Sequence, residues 1–158
     1  MFEGLTHITI AGTSYPIRCD LYVLERIQDK YGAIERFEEG IRYRKAVDGM
    51  VPKLNEDETP VLDENGKQVM IPGKIWEYKD PDMKMLNYGL ELMINEGIDI
   101  QNEESEEKMS HVTARELARK IDQNVFEISA LLQSEYVRCF RVKNQQTTQR
   151  NQEENQNL

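Results

Sequence analysis

The chain has 158 residues, 39% of them hydrophobic and 31% charged, and its 29 acidic against 20 basic side chains give a formal net charge of −9. This length and composition predict one soluble globular domain with enough apolar material for a single core. The acidic balance disfavours nucleic acid and anionic membrane as partners, because both bind basic surfaces. No apolar stretch approaches the roughly 20 residues of a membrane span.

The N-terminal residues lack the basic and apolar segments of a signal peptide, so we expect the protein to stay in the cytoplasm of the cell that makes it. In such a reducing compartment, Cys19 and Cys139 are expected to be two buried thiols.

A β-hairpin is predicted at 6–19. Side chains alternate between polar and apolar in Thr6–Ile10 and again in Tyr15–Cys19, on either side of a turn that starts at Ala11-Gly12. The alternation places Ile8 and Ile10 on a buried face.

Two helices are predicted to follow the hairpin. The first covers 20–31, with Asp20 as its N-cap and Gly32 at its C-terminal end. The second covers 33–40, and we expect it to continue as helix through 42–50.

A proline-rich insert is predicted at 51–79. Its strongest local signal is Asn65-Gly66, the preferred pair for a two-residue type I′ turn, because both positions of that turn need a positive φ. We therefore predict a second hairpin over 61–71 that projects from a helical body.

Two more helices complete the predicted fold. The first covers 81–96, with Asp80 as its cap, Pro81 in its first turn and Gly97 at its end. After an acidic loop, a capping box of Thr113 and Glu116 starts a long helix over 113–141.

The predicted fold class is therefore α+β, a mainly helical single domain over 1–142 with an N-terminal β-hairpin and a second, inserted hairpin. The segment 143–158 is predicted to be a disordered polar tail, because nine of the fifteen residues in 144–158 are Asn or Gln.

We predict no catalytic, cofactor or metal site. Cysteine and histidine are the residue types that most often bind zinc, and the four in this chain show no paired spacing: His7, Cys19, His111 and Cys139. Phosphate-binding and nucleophile-elbow motifs are absent. The stretch around Asp63 and Asn65 does not match a calcium loop, since Val61 and Pro72 occupy its first and twelfth ligand positions.

The last predicted helix is apolar on two sides. One stripe consists of Leu117, Ile121, Val125, Ile128, Leu132, Tyr136 and Cys139. A second stripe consists of Phe126, Ala130, Val137 and Phe140. A helix with two apolar sides is either central to its own core or docked to a second molecule. We predict that the first stripe is core and that the second binds a partner.

The order of these elements resembles the tail assembly chaperones of long-tailed bacteriophages and prophages. The strand Tyr15-Pro16-Ile17-Arg18-Cys19-Asp20 leads into Leu24-Glu25-Arg26-Ile27-Gln28-Asp29-Lys30-Tyr31-Gly32, followed by Ile34-Glu35-Arg36-Phe37. The later helices are similar too, so the resemblance covers 6–50 and 80–142. It is a likeness of pattern without a diagnostic motif, and the insert at 51–79 departs from the family.

The resemblance implies a non-enzymatic role in the cytoplasm of a bacterial host. Such chaperones bind the tape measure protein, keep it soluble, help the tail tube protein assemble around it, and are absent from the mature virion. A self-oligomer is a further possible partner, whereas nucleic acid, membrane and cofactors are not expected. Two alternatives stay open: a virion structural or connector protein, and a small enzyme without a recognisable motif.

Overall fold

The computed structural model describes the backbone of residues 4–156 and the side chains of 4–140. Within this range, 47% helix against 23% strand confirms the mainly helical α+β class. The elements are β1 (Thr6–Ile10), β2 (Thr13–Ile17), α1 (Leu21–Tyr31), α2 (Ile34–Ile41), β3 (Arg44–Pro52), β4 (Met70–Tyr78), α3 (Met83–Glu104), α4 (Ala114–Lys120) and α5 (Val125–Gln156). The chain divides into a unit of Met1–Arg42 and Pro81–Leu158, here called the body, and Tyr43–Asp80, here called the ribbon.

The N-terminal hairpin of the body is confirmed. Ile10 pairs with Thr13 in the antiparallel register, so Ala11 and Gly12 alone form the turn. Their φ angles of 49° and 81° are both positive, as a type I′ turn requires. The type I′ geometry that we predicted at Asn65-Gly66 is therefore adopted at Ala11-Gly12.

Helix α1 has the predicted ends. The Val23 N–H donates to the Asp20 carboxylate at 3.0 Å, which caps the helix at its start. Gly32 has a φ of 81°, and its N–H donates to the Gln28 carbonyl, which closes the helix at its end. Helix α2 then runs to Ile41.

The prediction that 42–50 continues as helix is wrong. Arg42 has extended backbone angles, and β3 starts at Arg44. Helical periodicity is weak in this segment, and pairing with β4 along the whole of β3 overrides it. The inserted unit therefore starts eight residues before the predicted boundary, at Tyr43 instead of residue 51.

Helix α3 is longer than predicted at its C-terminal end. Its N-cap is Asp82 and not Asp80, since Asp82 accepts from the N–H groups of Lys84 and Met85. Gly97 does not end the helix but lies inside it. A Cβ on Gly97 would lie 2.5 Å from the carbonyl oxygen of Pro16, so this glycine allows the helix backbone to approach β2.

The predicted long helix over 113–141 is interrupted. The capping box of Thr113 and Glu116 is confirmed, but α4 ends at Lys120 and α5 starts at Val125. Side chains in between bind the first hairpin: Asp122 accepts from the Ala11 N–H at 3.3 Å, and Gln123 donates to the Thr9 carbonyl. These tertiary hydrogen bonds favour a break at 121–124, after which the Asn124 side chain accepts from the Phe126 N–H at the start of α5.

The core of the body surrounds α3. Its fully buried larger side chains are Ile10, Ile17, Ile27, Phe37, Ile41, Leu90, Met93, Ile94, Ile98, Leu117, Ile128 and Leu132. Much of the first predicted stripe is therefore core. The backbone of α5 runs on through Gln156, beyond the predicted end at 141 and into the predicted tail at 143–158. The side chains of this segment lie outside the described residues, and its disorder in isolation stays a prediction.

The second, inserted hairpin is confirmed, and its tip lies where it was predicted: the Val69 N–H donates to the Val61 carbonyl at 2.9 Å, and Leu62 lies opposite Gln68. Its long strands and the type of its turn differ from the prediction. The paired strands are β3 and β4, and 53–69 folds back between them. Asn65 does not have a positive φ, which excludes a type I′ turn. The Gly66 N–H donates to the Asp63 carbonyl at 3.0 Å and Gly66 has a φ of 78°, the pattern of a type I turn followed by a left-handed glycine. The Asp63 carboxylate stabilises this turn, because it accepts from the N–H groups of Asn65 and Lys67.

Candidate functional site

The four predicted partner-binding residues lie along α5 without forming one continuous exposed stripe. Phe126 is 41% exposed at the start of the helix, whereas Ala130 and Val137 are half-buried. Phe140 is also half-buried, and its ring centre lies 4.9 Å from that of Tyr136. Val137 and Phe140 pack against the core. A role for these residues in binding stays a prediction.

An apolar groove opens beside Phe140, between α1 and α5. Its volume is about 250 Å³, and it is lined by Leu21, Leu24, Glu25, Gln28, Ile34, Cys139 and Phe140. Leu21 is 59% exposed, so part of the groove wall faces solvent. At this groove the body therefore offers an apolar surface of modest size.

The ribbon exposes more apolar surface than the body. Of the twelve large hydrophobic side chains that are exposed in the described part of the chain, eight belong to this unit. They are Met50, Leu54, Leu62, Met70, Ile71, Ile75, Trp76 and Tyr78. Sequence reasoning missed this surface, although the β-branched and aromatic residues of Ile71–Tyr78 were a usable strand signal.

One face of the ribbon is aliphatic. The register places the odd-numbered residues of both strands on one side, so that Val47 lies opposite Ile75 and Val51 opposite Ile71. Gly49 and Gly73 form the pair between them. A Cβ on Gly49 would lie 2.7 Å from Ile75, and one on Gly73 would lie 2.5 Å from Val51. The two glycines therefore leave room for the aliphatic side chains of Ile75 and Val51 to lie over the backbone.

The opposite face carries an aromatic and cationic cluster. The Arg44 guanidinium lies 4.0 Å from the centre of the Trp76 ring and 5.4 Å from that of Tyr43. The rings of Tyr43 and Tyr78 are 6.4 Å apart. Farther along this face, Asp48 and Lys74 form an exposed ion pair. Tryptophan, tyrosine and arginine are the residue types that contribute most binding energy at protein interfaces.

Prolines protect the two edges of the ribbon. The Lys79 N–H donates to the Tyr43 carbonyl, and the Lys53 N–H donates to the Val69 carbonyl, both at 2.8 Å. Because hydrogen-bonded and non-hydrogen-bonded pairs alternate in an antiparallel ladder, the odd-numbered residues bond across the ribbon and the even-numbered ones direct their N–H and C=O groups outward. Pro52 and Pro72 occupy outward positions, one on each edge. A proline edge has no N–H there to offer another strand.

A group of acidic side chains lies where α1 meets α3. Burial and the neighbouring Asp20 carboxyl raise the pKa of Glu96 to about 7. Asp99, one turn further along α3, lies 2.6 Å from the ring of His111. Among the described residues, no three His, Cys, Asp or Glu side chains are grouped so that they could hold a metal ion.

The described helices include none that is both long and apolar enough to cross a membrane. No protein-family model, no curated protein and no solved structure matches this chain.

Proposed function

We propose that the protein is a non-enzymatic assembly chaperone that binds an apolar helical partner through its ribbon. The observation that carries this proposal is the concentration of exposed apolar side chains on Tyr43–Asp80. A two-stranded hairpin alone is marginally stable in water, and exposed apolar patches commonly mark protein-binding sites. A partner that covers the ribbon would stabilise it and remove this surface from water.

The proposed partner is a helix that lies against a face of the ribbon. The edge prolines Pro52 and Pro72 oppose the addition of a strand, whereas the aliphatic face suits the apolar side of a helix. The resemblance to phage tail assembly chaperones gives this partner an identity. It would be the tape measure protein, bound in the host cytoplasm while the tail tube protein assembles around it. The net charge of −9 would keep such a complex soluble.

A second candidate is a virion structural or connector protein. The observation that favours it is the aromatic and cationic cluster of Arg44, Trp76 and Tyr78, which would equally suit a permanent contact with a neighbouring subunit. The two functions differ in the finished particle. Mass spectrometry of purified virions would detect a structural protein and would not detect an assembly chaperone.

Co-purification from a bacterial host tests the proposed function. The tagged chain is co-expressed with a phage tape measure protein, the proposed partner, and the soluble complex is measured. The test variant replaces Ile71 and Ile75 by serine on the aliphatic face. The control variant replaces Leu54 and Leu62 by serine, two side chains that are more exposed but lie in the fold-back segment 53–69.

We expect the Ile71 and Ile75 variant to lose most of the complex and the Leu54 and Leu62 variant to keep it. Equal retention by both would contradict binding at the aliphatic face. A third variant, Phe126→Ser with Phe140→Ser, tests the predicted stripe of α5. If it alone abolished the complex while keeping its circular dichroism, the binding surface would belong to the body.

A further inference from the structure

The start of α1 is clamped by two side chains of α5. Glu135, only 4% exposed, accepts from the Cys19 N–H at 3.2 Å. Arg138 donates to the Cys19 carbonyl at 3.0 Å and to the Glu135 carboxylate at 3.1 Å. Both backbone groups of Cys19 are therefore held by one turn of α5, even though 116 residues separate Cys19 from Glu135.

The clamp brings the two cysteines of the chain together. Cys139 directly follows Arg138 and lies one helical turn after Glu135, so its side chain is on the face of α5 that holds Cys19. The two environments differ. Cys19 is buried, whereas Cys139 is half-buried and lines the apolar groove between α1 and α5. A small molecule can therefore reach the Cys139 thiol from the groove, whereas the buried Cys19 thiol is not among the groove's lining residues.

We propose that Cys19 and Cys139 form an oxidation site that closes an intramolecular disulfide by exchange with a small disulfide of the glutathione class. The Cys139 thiolate attacks one sulfur of oxidised glutathione, the S–S bond of the oxidant breaks, and one glutathione leaves. Cys19 then gives up its proton to water and attacks the Cys139 sulfur, which displaces the second glutathione. Two protein thiols are oxidised, and one glutathione disulfide is reduced to two thiols.

The two steps have different rates. Burial raises the pKa of the Cys19 thiol well above its ordinary value, with the nearby Cys139 and Glu135 adding to the effect. The thiolate is the attacking species, so the closing step is slow and becomes faster as pH rises. In a reducing cytoplasm the pair stays as thiols, and a shift to oxidising conditions links the start of α1 covalently to α5.

The experiment treats the native full-length chain with oxidised glutathione. Intact mass under denaturing conditions, thiol titration and a non-reduced digest then identify the product. We expect a monomer lighter by two hydrogens, with no titratable thiol and a linked Cys19–Cys139 peptide. The Cys19→Ser variant should stop at a glutathione adduct on Cys139, and Cys139→Ser should remain unmodified. The wild-type product should form several times faster at pH 9 than at pH 7.

Three results would overturn the proposal. The first is a wild-type product that stops at the glutathione adduct, and the second is a disulfide-linked dimer. The third is a bond that forms only in denaturant, since this would mean that the folded chain does not bring the thiols together. Circular dichroism of the two serine variants establishes that each is folded during the treatment. The outcome does not depend on the proposed partner of the ribbon.

Discussion

The body and the ribbon use the same kinds of residue in opposite ways. In the body, Ile94 is fully buried on α3, whereas on the ribbon Ile75 is 43% exposed on β4. Every residue of the fully buried core belongs to the body, and none of the described residues of Tyr43–Asp80 is among them. The comparison teaches that apolar content alone does not locate the core. The body uses its apolar residues for stability, and the ribbon presents its own to solvent.

The largest expected effect separates the two isoleucines. Ile94→Ala should lower the free energy of unfolding by about 2–5 kcal/mol, because it leaves a cavity in a fully buried site. The matched Ile75→Ala should cost less than about 1 kcal/mol, because much of that side chain is already in water. Urea unfolding followed by far-UV circular dichroism measures both. Equal losses would mean that the ribbon face is covered in the isolated protein.

A smaller effect is expected at the ribbon turn. Gly66 has a φ of 78°, so Gly66→Val should weaken the turn locally by roughly 1–2 kcal/mol. Hydrogen exchange should accelerate at the Lys67 N–H, which donates to Asp63, while the urea midpoint of the body stays unchanged. Gly66→Asn is the control, because asparagine tolerates the left-handed region. Cooperative loss of the whole fold in Gly66→Val would contradict the separation of the two units.

The dependence of stability on pH should also differ between the units. Glu96 in the body has a pKa of about 7 against an ordinary value of 4.5, so between these values the folded state binds more protons than the unfolded state. The free energy of unfolding should therefore fall as pH rises from 5 to 8. Glu96→Gln should remove part of that fall. Urea midpoints of both proteins at pH 5 and pH 8 measure it, and an equal fall in both would contradict the role of Glu96.

On the ribbon, hydrogen bonds from Thr59 lower the pKa of Asp57. The stability that this group contributes is therefore lost as pH falls, the opposite of the dependence expected from Glu96. Acid below about pH 4 should weaken the turn that holds Asp57, with no gain at higher pH.

The parts of the fold that the sequence predicts are those whose signals are local. Asp20 caps α1 and Thr113 caps α4 because each accepts from an N–H only three residues away, so both partners lie in the same short segment of sequence. The break at 121–124 depends on bonds from Asp122 and Gln123 to the first hairpin, more than 100 residues away. In the sequence, Gly97 indicates a helix end. In the structure it lies inside α3, where the nearby Pro16 carbonyl leaves no room for a Cβ. Distant contacts of this kind leave no periodic trace in the sequence.

The candidate site was less predictable than the fold. The two-sided apolar pattern of α5 favoured Phe126 and Phe140 for binding, because periodicity gives the faces of a helix but not what covers them. Phe140 packs against the body core. Nearly all residues of β4 are exposed, on both faces of the strand, and whether a second layer covers a strand is a property of the whole fold. Ile75 and Trp76 were therefore assigned to an insert without a role.

Removal of the ribbon tests the central claim most directly. Tyr43 and Lys79 are joined across the base of the ribbon by a 2.8 Å hydrogen bond, so the dipeptide Asn-Gly can replace 44–78 as a two-residue turn. We predict that the shortened chain unfolds cooperatively with the stability of the body and no longer co-purifies with the helical partner. A shortened chain that does not fold, or one that binds the partner as well as the full chain does, would contradict the division of stability and binding between body and ribbon.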